Sequence, residues 1–346
     1  MYYVGVDYHK KYSTATVMNE KEEILVQKDI PNTLAAFRVL LAPFQPAVAA
    51  VEATRNWSVA VNILEQLVND VRLAHPADTK IMVKRLSTDK IDSRGLARLL
   101  VHNMLPEAYL RDRPNRDNQA ILRARSFFVQ QRTRVKNRIH DLIDRQAEPI
   151  REQTQSYSDL FGSKGLTWLK SLELPVPYNK LVNQLLASLE NLSTQISTSD
   201  KLVKELLAVD GEAQLVDTVP GFGPFFSVLI RTEIDDIHRF PDADRLCSYA
   251  GVVPWTESSG GKVWHGSLIK QSNRWLRWAF VEAAIPAIVA DEGLRRLYER
   301  YRKVKGTKIA KVVVARRLAR IVYQVLTQKR AYYPSPVAGG RKPQEQ

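Results

Sequence analysis

The sequence predicts an α/β domain followed by a mostly helical remainder. Three observations support this fold class. Short apolar runs alternate with helix-like segments over the first hundred residues, long helical periodicities begin at Pro114, and a glycine-rich turn near residue 220 separates two further helices. At 346 residues the chain is too long for one ordinary compact domain and suits two, with a helical spacer.

The first hundred residues contain five candidate strands, at residues 2–6, 13–18, 24–29, 47–51 and 71–74. Residues 47–51 are small and apolar, as expected of a buried central strand that ends at Glu52. Helices are predicted from a cap at Asn32-Thr33 through Leu41, and over residues 57–68. A hairpin-like opening followed by strand–helix alternation predicts a mixed sheet, and its order resembles the ribonuclease H fold.

A long basic helix is predicted after Pro114. An apolar stripe with a seven-residue repeat should pack on a partner helix, and it consists of Ile121, Phe128, Val135 and Leu142. Arginines surround this stripe, among them Arg123, Arg125, Arg132, Arg134 and Arg138. A solvated helix face would explain such a run. Acids are sparse between residues 118 and 140, however, which favours a helix that faces phosphates.

A second helical segment is predicted over residues 181–207, after a break at 163–177. Its apolar seam consists of Leu181, Leu185, Leu189 and Leu192. The two helices would form either an antiparallel hairpin within one chain or a coiled coil between chains. The sequence leaves both arrangements open.

We predict four parts along the chain. They are an α/β domain that ends in the basic helix at residues 1–145, a helical coiled-coil spacer at 146–208, a mostly helical domain at 209–333 and a disordered tail at 334–346. In the third part, the turn from Val219 to Pro224 resembles the turn of a helix-hairpin-helix element. Such a turn presents backbone N–H groups to a phosphate, although an ordinary helix–helix turn has the same pattern.

The composition indicates a soluble globular protein with a polyanionic partner. Lysine and arginine number 51 against 37 acids, which gives a net charge of +14. The single cysteine, Cys247, excludes an internal disulfide and a cysteine-built zinc site, and it suits a reducing cytoplasm. No apolar run reaches the roughly 18 residues that span a bilayer, and the N-terminus lacks the pattern of a signal peptide.

Four acids stand where metal chemistry would need them. Asp7 follows the first strand and Glu52 ends the buried strand, whereas Asp89 and Asp92 lie on one face of a predicted helix. Clustered carboxylates repel one another unless cations neutralise them, and oxygen ligands select Mg²⁺ or Mn²⁺. Two such ions suit phosphoryl transfer. The alternative is that each acid is a helix cap or a surface charge. For Asp89 taken alone this alternative is favoured, because Thr88-Asp89 is a plausible helix start.

A second candidate centre is the run Ser258-Ser259-Gly260-Gly261. It is followed by cations suited to hold a phosphate: Lys262, Lys270, Arg274 and Arg277. A flexible loop is the alternative interpretation of the serine–glycine run.

Three motifs together carry a family resemblance. Gly5-Val6-Asp7-Tyr8-His9-Lys10, Glu52-Ala53-Thr54 and Thr88-Asp89-Lys90-Ile91-Asp92 resemble the motifs of the DEDD insertion-sequence transposases. Two departures are visible: Arg55 stands where the family often has glycine, and Ser93 where alanine is usual. The resemblance extends through the C-terminal region. It implies an N-terminal RuvC-like domain, a helical coiled-coil spacer and a mostly helical C-terminal transposase domain.

The resemblance also implies the chemistry. In this family a serine before glycine attacks DNA, so Ser259 is the implied nucleophile, with Ser258 as the fallback, and the product is a covalent 5′-phosphoserine. Because a serine hydroxyl needs activation, our hypothesis is that Mg²⁺ or Mn²⁺ held by Asp7, Glu52, Asp89 and Asp92 activates it. This arrangement requires the two domains, from different subunits, to meet at one composite site.

The partners implied by the resemblance are the DNA of the element ends and target, a structured noncoding guide RNA, and further copies of the chain in a dimer or tetramer. Localisation would be the cytoplasm of a bacterial or archaeal cell, at the nucleoid, without a membrane partner. Base pairing would supply sequence specificity, so the cations would contact nucleic-acid backbones. These predicted nucleic-acid-binding residues are Arg123, Arg125, Arg132, Arg134, Arg138, Lys262, Lys270, Arg274 and Arg277.

Three other functions compete with a serine recombinase. A hydrolytic junction-resolving endonuclease would use the same acids with water and would leave no protein–DNA adduct. A 3′–5′ exonuclease of the DEDD type would carry an acid two residues after the first, where this chain has His9. A non-catalytic basic scaffold would leave the acids at the apolar strand ends unexplained.

Overall fold

The computed structural model describes residues 1–82, 88–146, 148–259 and 262–334. The chain divides into two units, Met1–Arg113 and the part from Pro114 onwards. This division lies before the long basic helix, whereas the boundary inferred from the sequence lies after it, at residue 145. The assignment of the three functional domains stays a prediction.

A mixed six-stranded sheet forms the first unit, in the order β3-β2-β1-β4-β5-β6. The strands are β1 (Tyr2–Tyr8), β2 (Tyr12–Met18), β3 (Ile24–Pro31), β4 (Ala47–Glu52), β5 (Asp70–Ala74) and β6 (Glu107–Ala108). Strands β1, β4 and β5 are parallel neighbours, and the other pairings are antiparallel. The predicted hairpin opening and mixed sheet are therefore confirmed.

Helices cover both faces of this sheet. They are α1 (Leu34–Leu41), α2 (Trp57–Leu64), α3 (Pro76–Met82) and α4 (Asp89–Val101). Thr33 caps α1 by accepting a hydrogen bond from the Ala36 N–H, as the sequence predicts. On one face, Val4 and Val6 pack with residues of α1 and α2 in a buried core. On the other face, α4 packs against β1 and β4.

Gly5 allows the close contact between β1 and α4. A Cβ atom at this position would lie 1.9 Å from the backbone oxygen of Ser93 and 2.6 Å from the backbone nitrogen of Ala97. Only glycine fits such an approach, because both neighbours are helix backbone. Ser93, one of the two departures from the family pattern, lies beside this contact and is buried, with its Oγ 2.8 Å from Oγ1 of Thr16.

Two long helices pack against each other in the second unit. The helices that open this unit are α5 (Arg113–Asp144), α6 (Glu148–Gln155), α7 (Ser163–Ser171) and α8 (Tyr178–Val209). Ile139 near the end of α5 shares a buried cluster with Leu186 near the start of α8. Arg125, early in α5, pairs with Asp200, late in α8, at 2.9 Å. The helices are therefore antiparallel within one chain, the first of the two arrangements that the sequence left open.

The predicted seam of α8 is confirmed at Leu189 and Leu185, which belong to or pack on the buried cluster, and is wrong at Leu181. Leu181 is 40% exposed, whereas the buried positions include Val182, Leu186, Leu189, Ile196 and Val203. The spacing of leucines alone does not show which edge of a wide apolar face meets the partner helix. The predicted break at residues 163–177 is also partly wrong, because α7 occupies residues Ser163–Ser171.

The rest of the second unit is built from α9 (Gly211–Asp217), α10 (Pro224–Ile234), α11 (Ala243–Tyr249), β7 (Pro254–Ser259), β8 (Lys262–Leu268), α12 (Arg274–Ala290) and α13 (Glu292–Gln328). Helix α13 is kinked at Gly306. The predicted turn between two helices at residues 219–224 is confirmed, since α9 precedes it and α10 follows it. Its Gly221 has a φ of 91° and lies so close to α12 that a Cβ would be 2.3 Å from the oxygen of Ala283.

None of the helices in the described part of the chain combines the length and apolar composition that a bilayer-spanning segment needs. Of the predicted disordered tail, residues 335–346 lie outside the described residues.

Candidate metal centre and serine hairpin

The alternation of side chains along the sheet brings two of the predicted acids to the α4 face. Gly5 pairs with Ala50 and Val6 with Val51 in the parallel register of β1 and β4. Because side chains two residues apart share a face, Asp7 and Glu52 project to the same side as the glycine that contacts α4.

Helix α4 brings the other two acids to this edge of the sheet. It begins at Asp89, and Thr88 caps it by accepting a 3.3 Å hydrogen bond from the Ile91 N–H. Asp92 follows one turn later, on the same face as Asp89. Thr88 is thus the cap, and Asp89 has a side chain available for the site.

His9 lies between two of the acids. Its Nε2 is 3.1 Å from Oδ2 of Asp7 and 3.2 Å from Oδ2 of Asp89. The Tyr12 hydroxyl donates a 2.9 Å hydrogen bond to the same Asp89 oxygen. The Asn32 side-chain amide fixes this turn by donating a 2.6 Å bond to the His9 carbonyl oxygen. The sequence pattern indicates neither His9 nor Tyr12 as part of the site, because the β1–β2 hairpin is what places both beside the acids.

The electrostatics of the site show that its acids interact. The pKa of Asp7, which is 8% exposed, is raised overall, and burial is the largest cause. Asp89 and Asp92 raise this pKa further, whereas His9 lowers it. Burial also raises the pKa of Glu52, with a further increase from Asp7, a decrease from Lys80 of α3 and an increase from Asp92. Negative charge is therefore disfavoured at both strand ends.

The donor set suits a divalent cation. Ligand atoms of Asp7, His9 and Asp89 all lie within 4.8 Å of one another. A cation would offset the burial and the repulsion that raise the pKa values of the two strand-end acids, and carboxylates are ligands of Mg²⁺ and Mn²⁺. Glu52 and Asp92 interact electrostatically with the same centre, and their position makes them further candidate ligands.

Ser259 is the last residue of β7 and pairs with Lys262 of β8. Ser258 and Ser259 thus lie in a strand rather than in the loop that was the alternative interpretation of the sequence. The structure does not describe the side chains of Ser258, Ser259 and Lys262, and Gly260 and Gly261 lie outside the described residues. The role of the serines stays a prediction.

Three of the predicted nucleic-acid-binding arginines are half-buried and contact residues outside their own helix, unlike Arg138, which pairs with Asp141 one turn later on α5. Arg123 pairs with Glu233 and lies over the Trp275 ring, and Arg125 pairs with Asp200. The Arg277 guanidinium donates to the Ile269 carbonyl oxygen and the Ser272 hydroxyl. The other described members are exposed or half-exposed: Arg132, Arg134, Arg138, Lys270 and Arg274.

A buried acid that the sequence analysis overlooked connects three helices of the second unit. Glu233 of α10 is 2% exposed, pairs with Arg123 of α5 and accepts a 2.7 Å hydrogen bond from Asn273. Asn273 in turn caps α12 by accepting hydrogen bonds from Trp275 and Leu276 N–H groups. The N-terminus of α12, which follows β8, is therefore anchored to α10 and α5.

Two sequence families match this chain. The DEDD family of IS110, described as transposase, matches residues 4–147. The transposase family IS116/IS110/IS902 matches residues 213–299. The first match contains all four acids of the candidate metal centre, and the second contains the serine hairpin and Asn273.

Individual relatives support these matches. The chain is 20% identical over 339 residues to a probable family 20 transposase of Pseudomonas aeruginosa, a match that covers 96% of this chain and 98% of that protein. It is 24% identical to the transposase for insertion sequence element IS1111A of Coxiella burnetii, over 75% of this chain and 72% of that protein. A 27% identity to an uncharacterized 44.8 kDa protein of insertion element IS116 from Streptomyces clavuligerus covers 52% of this chain and only 46% of that protein.

Proposed function

Because the chain belongs to the DEDD insertion-sequence transposases of the IS110 family, we propose that it cuts and joins DNA strands through a serine nucleophile assisted by its acidic centre. The observation that carries the proposal is the convergence of Asp7 and Asp89 on His9, beside a buried strand end whose negative charge is disfavoured. A structural role alone does not account for such a cluster in a chain of net charge +14.

We assign the first unit to the RuvC-like class of nuclease folds. The hairpin opening, the parallel strands β1 and β4 with acids at their ends, and a helix that adds further acids support this assignment. The chemistry of such a site depends on the acids rather than on the sheet, so the assignment of function rests on the side chains.

Asp7, Glu52, Asp89 and Asp92 would hold Mg²⁺ or Mn²⁺, and the bound cation stabilises the negative charge that develops on a phosphate oxygen. His9 contacts Asp7 and Asp89 and so orients both carboxylates. Tyr12 holds one oxygen of Asp89 through its hydroxyl. These residues prepare the geometry of the centre before DNA arrives.

The strand chemistry is a phosphoryl transfer without net hydrolysis. The Ser259 oxygen forms a bond to phosphorus, the bond from phosphorus to the 3′ oxygen breaks, and that oxygen leaves as a 3′ hydroxyl after taking up a proton. The serine loses a proton in the same step, so charge balances. Attack of a different 3′ hydroxyl on the phosphoserine restores Ser259 and joins a new strand pair. Ser258 is the alternative nucleophile in the same hairpin.

The partners are those that the resemblance to the family implies. The substrate is the DNA of an insertion sequence, and a structured noncoding RNA would choose the sites by pairing with it. The exposed cations Arg132, Arg134, Arg138, Lys270 and Arg274 suit backbone contacts. A dimer or tetramer would allow one subunit to supply the acids and another the serine.

Covalent trapping tests the proposal. Purified full-length protein is incubated with Mn²⁺, element-end DNA and the RNA that co-purifies, then denatured and mapped by mass spectrometry. We expect a DNA adduct on Ser259 that is absent in Ser259→Ala and in Asp7→Asn and present in the matched control Ser258→Ala. An adduct that persists in Ser259→Ala moves the nucleophile to another residue. Cleaved ends with no adduct establish the hydrolytic endonuclease instead.

A further inference from the structure

An aromatic cavity of about 470 Å³ opens in the second unit. Its lining consists of Arg123, Phe127, Gln130, Arg274, Trp275 and Trp278. The volume falls within the range of small-molecule binding sites, roughly 300–1,000 Å³. We use the name aromatic cavity for this group of six residues.

The rings of the cavity are of two kinds. Phe127 of α5 is 54% exposed, an unusual position for a large apolar ring. Trp275 and Trp278 lie one turn apart on α12, with ring centroids 5.8 Å apart. Trp278 also contacts the Phe226 ring at 5.1 Å. One ring is therefore accessible and the other two are fixed by their neighbours.

The cations of the cavity differ in their partners. Arg123 pairs with buried Glu233 and lies over the Trp275 ring, 3.8 Å from its centroid. Arg274 also lies over this ring, at 5.8 Å, but no acid pairs with it among the residues that the structure describes. The cavity thus carries an exposed positive charge beside aromatic faces, with the Gln130 amide at its edge.

We propose that the aromatic cavity binds an unpaired nucleotide of single-stranded nucleic acid. The base stacks on Phe127 and the tryptophan pair, and its phosphate contacts Arg274. Aromatic stacking platforms combined with arginine are the usual means of holding unpaired bases. The proposal rests on the proposed function for the class of ligand. It adds a subsite that requires neither the acids nor Ser259.

Charge and shape argue against other occupants. A second copy of this chain would bring a net charge of +14 to an exposed arginine, whereas a polyanion neutralises it. A base pair within a duplex offers only its edges, because its faces are stacked on neighbouring pairs, so the rings favour a base outside a helix. DNA and RNA strands share this chemistry.

Fluorescence anisotropy tests the proposal with the full-length protein in EDTA, where no strand cleavage contributes. The probes are a fluorescein-labelled 12-nucleotide oligothymidylate, an abasic strand with the same number of phosphates, and oligouridylate. We expect Phe127→Ala to weaken oligothymidylate binding roughly 5- to 150-fold, the effect of losing one stacked base, and to leave abasic binding unchanged. Arg274→Gln should weaken binding of both strands, since both carry the phosphates.

Matched variants make the test specific. Phe127→Tyr keeps a stacking ring and should bind as the parent does, and Leu181→Ala, another exposed apolar change in the same unit, should have no effect. The proposal is overturned if Phe127→Ala binds oligothymidylate as tightly as the parent does. It is also overturned if Phe127→Ala loses as much affinity for the abasic strand as for oligothymidylate. A loss of self-association in Phe127→Ala assigns the cavity to a subunit contact instead. If binding depends on the bases but no serine adduct forms, the proposed function fails and the nucleotide subsite stands. The difference in affinity between oligothymidylate and oligouridylate shows whether the cavity prefers a DNA or an RNA strand.

Discussion

At the scale of single residues, His9 distinguishes this acidic centre from one built of oxygen ligands alone. Its Nε2 contacts Asp7 and Asp89, and an imidazole nitrogen is a more typical ligand of transition metals than of Mg²⁺. We therefore expect tighter binding of Mn²⁺ than of Mg²⁺. His9→Gln should weaken Mn²⁺ binding by roughly 10-fold or more, whether His9 is a ligand or orients the carboxylates.

Isothermal titration calorimetry measures this preference. His102→Gln is the matched control, because His102 pairs with Glu22 and does not belong to the acidic centre. Equal Mn²⁺ affinity in His9→Gln and the parent would contradict a role for His9 in holding the ion.

The raised pKa values of Asp7 and Glu52 predict how stability depends on pH without metal. Because the folded pKa lies above the unfolded one, protonation favours the folded state. The stabilisation is complete below the unfolded pKa and is lost as pH rises through the folded pKa. In EDTA, Asp7→Asn should therefore raise the Tm by a few degrees at neutral pH and by less in acid.

Thermal unfolding followed by circular dichroism from pH 4 to 8 checks this sign. Added Mn²⁺ should stabilise the parent at neutral pH and Asp7→Asn much less, because bound ions stabilise the folded state by mass action. An Asp7→Asn protein less stable than the parent at pH 7 in EDTA would show that the carboxylate is a structural partner rather than a repelled charge.

At the scale of elements, the centre depends on the contact between β1 and α4. In Gly5→Ala the new Cβ would lie 1.9 Å from the Ser93 carbonyl oxygen, so the helix must move away from the strand. We expect a loss of at least 1–3 kcal/mol in the free energy of unfolding, the usual effect of overpacking. Urea denaturation measures it. Gly211→Ala is the control: it has open space around its Cβ and should be neutral or slightly stabilising.

The element scale also shows what the sequence could and could not predict. The apolar runs at residues 2–6 and 47–51 predicted two strands with acids at their ends, because apolar runs and strand ends are local properties, whereas the parallel register of these strands came only from the structure. The seam of α8 failed at Leu181, since several rotations of a wide apolar face look alike until the partner helix is known. His9 and Tyr12 were missed because only the hairpin register brings them to Asp89.

At the scale of the whole molecule, the net charge of +14 predicts steeply salt-dependent DNA binding, but the cations contribute unequally. Arg134 is exposed on α5, whereas Arg277 is half-buried and donates to the Ile269 carbonyl oxygen and the Ser272 hydroxyl. If Arg134 contacts a phosphate, Arg134→Gln should reduce the slope of log K against log salt by about 0.9 on duplex DNA. Arg277→Gln should leave that slope unchanged and lower stability by roughly 1 kcal/mol, because two half-buried acceptors lose their donor.

Anisotropy titrations from 50 to 300 mM salt, with urea denaturation of the same preparations, separate the two effects. A slope that falls equally in both variants would mean that Arg277 leaves its internal contacts when DNA binds. A slope unaffected by Arg134→Gln would place the duplex on another face of the long helix, where Arg132 provides the next position to test.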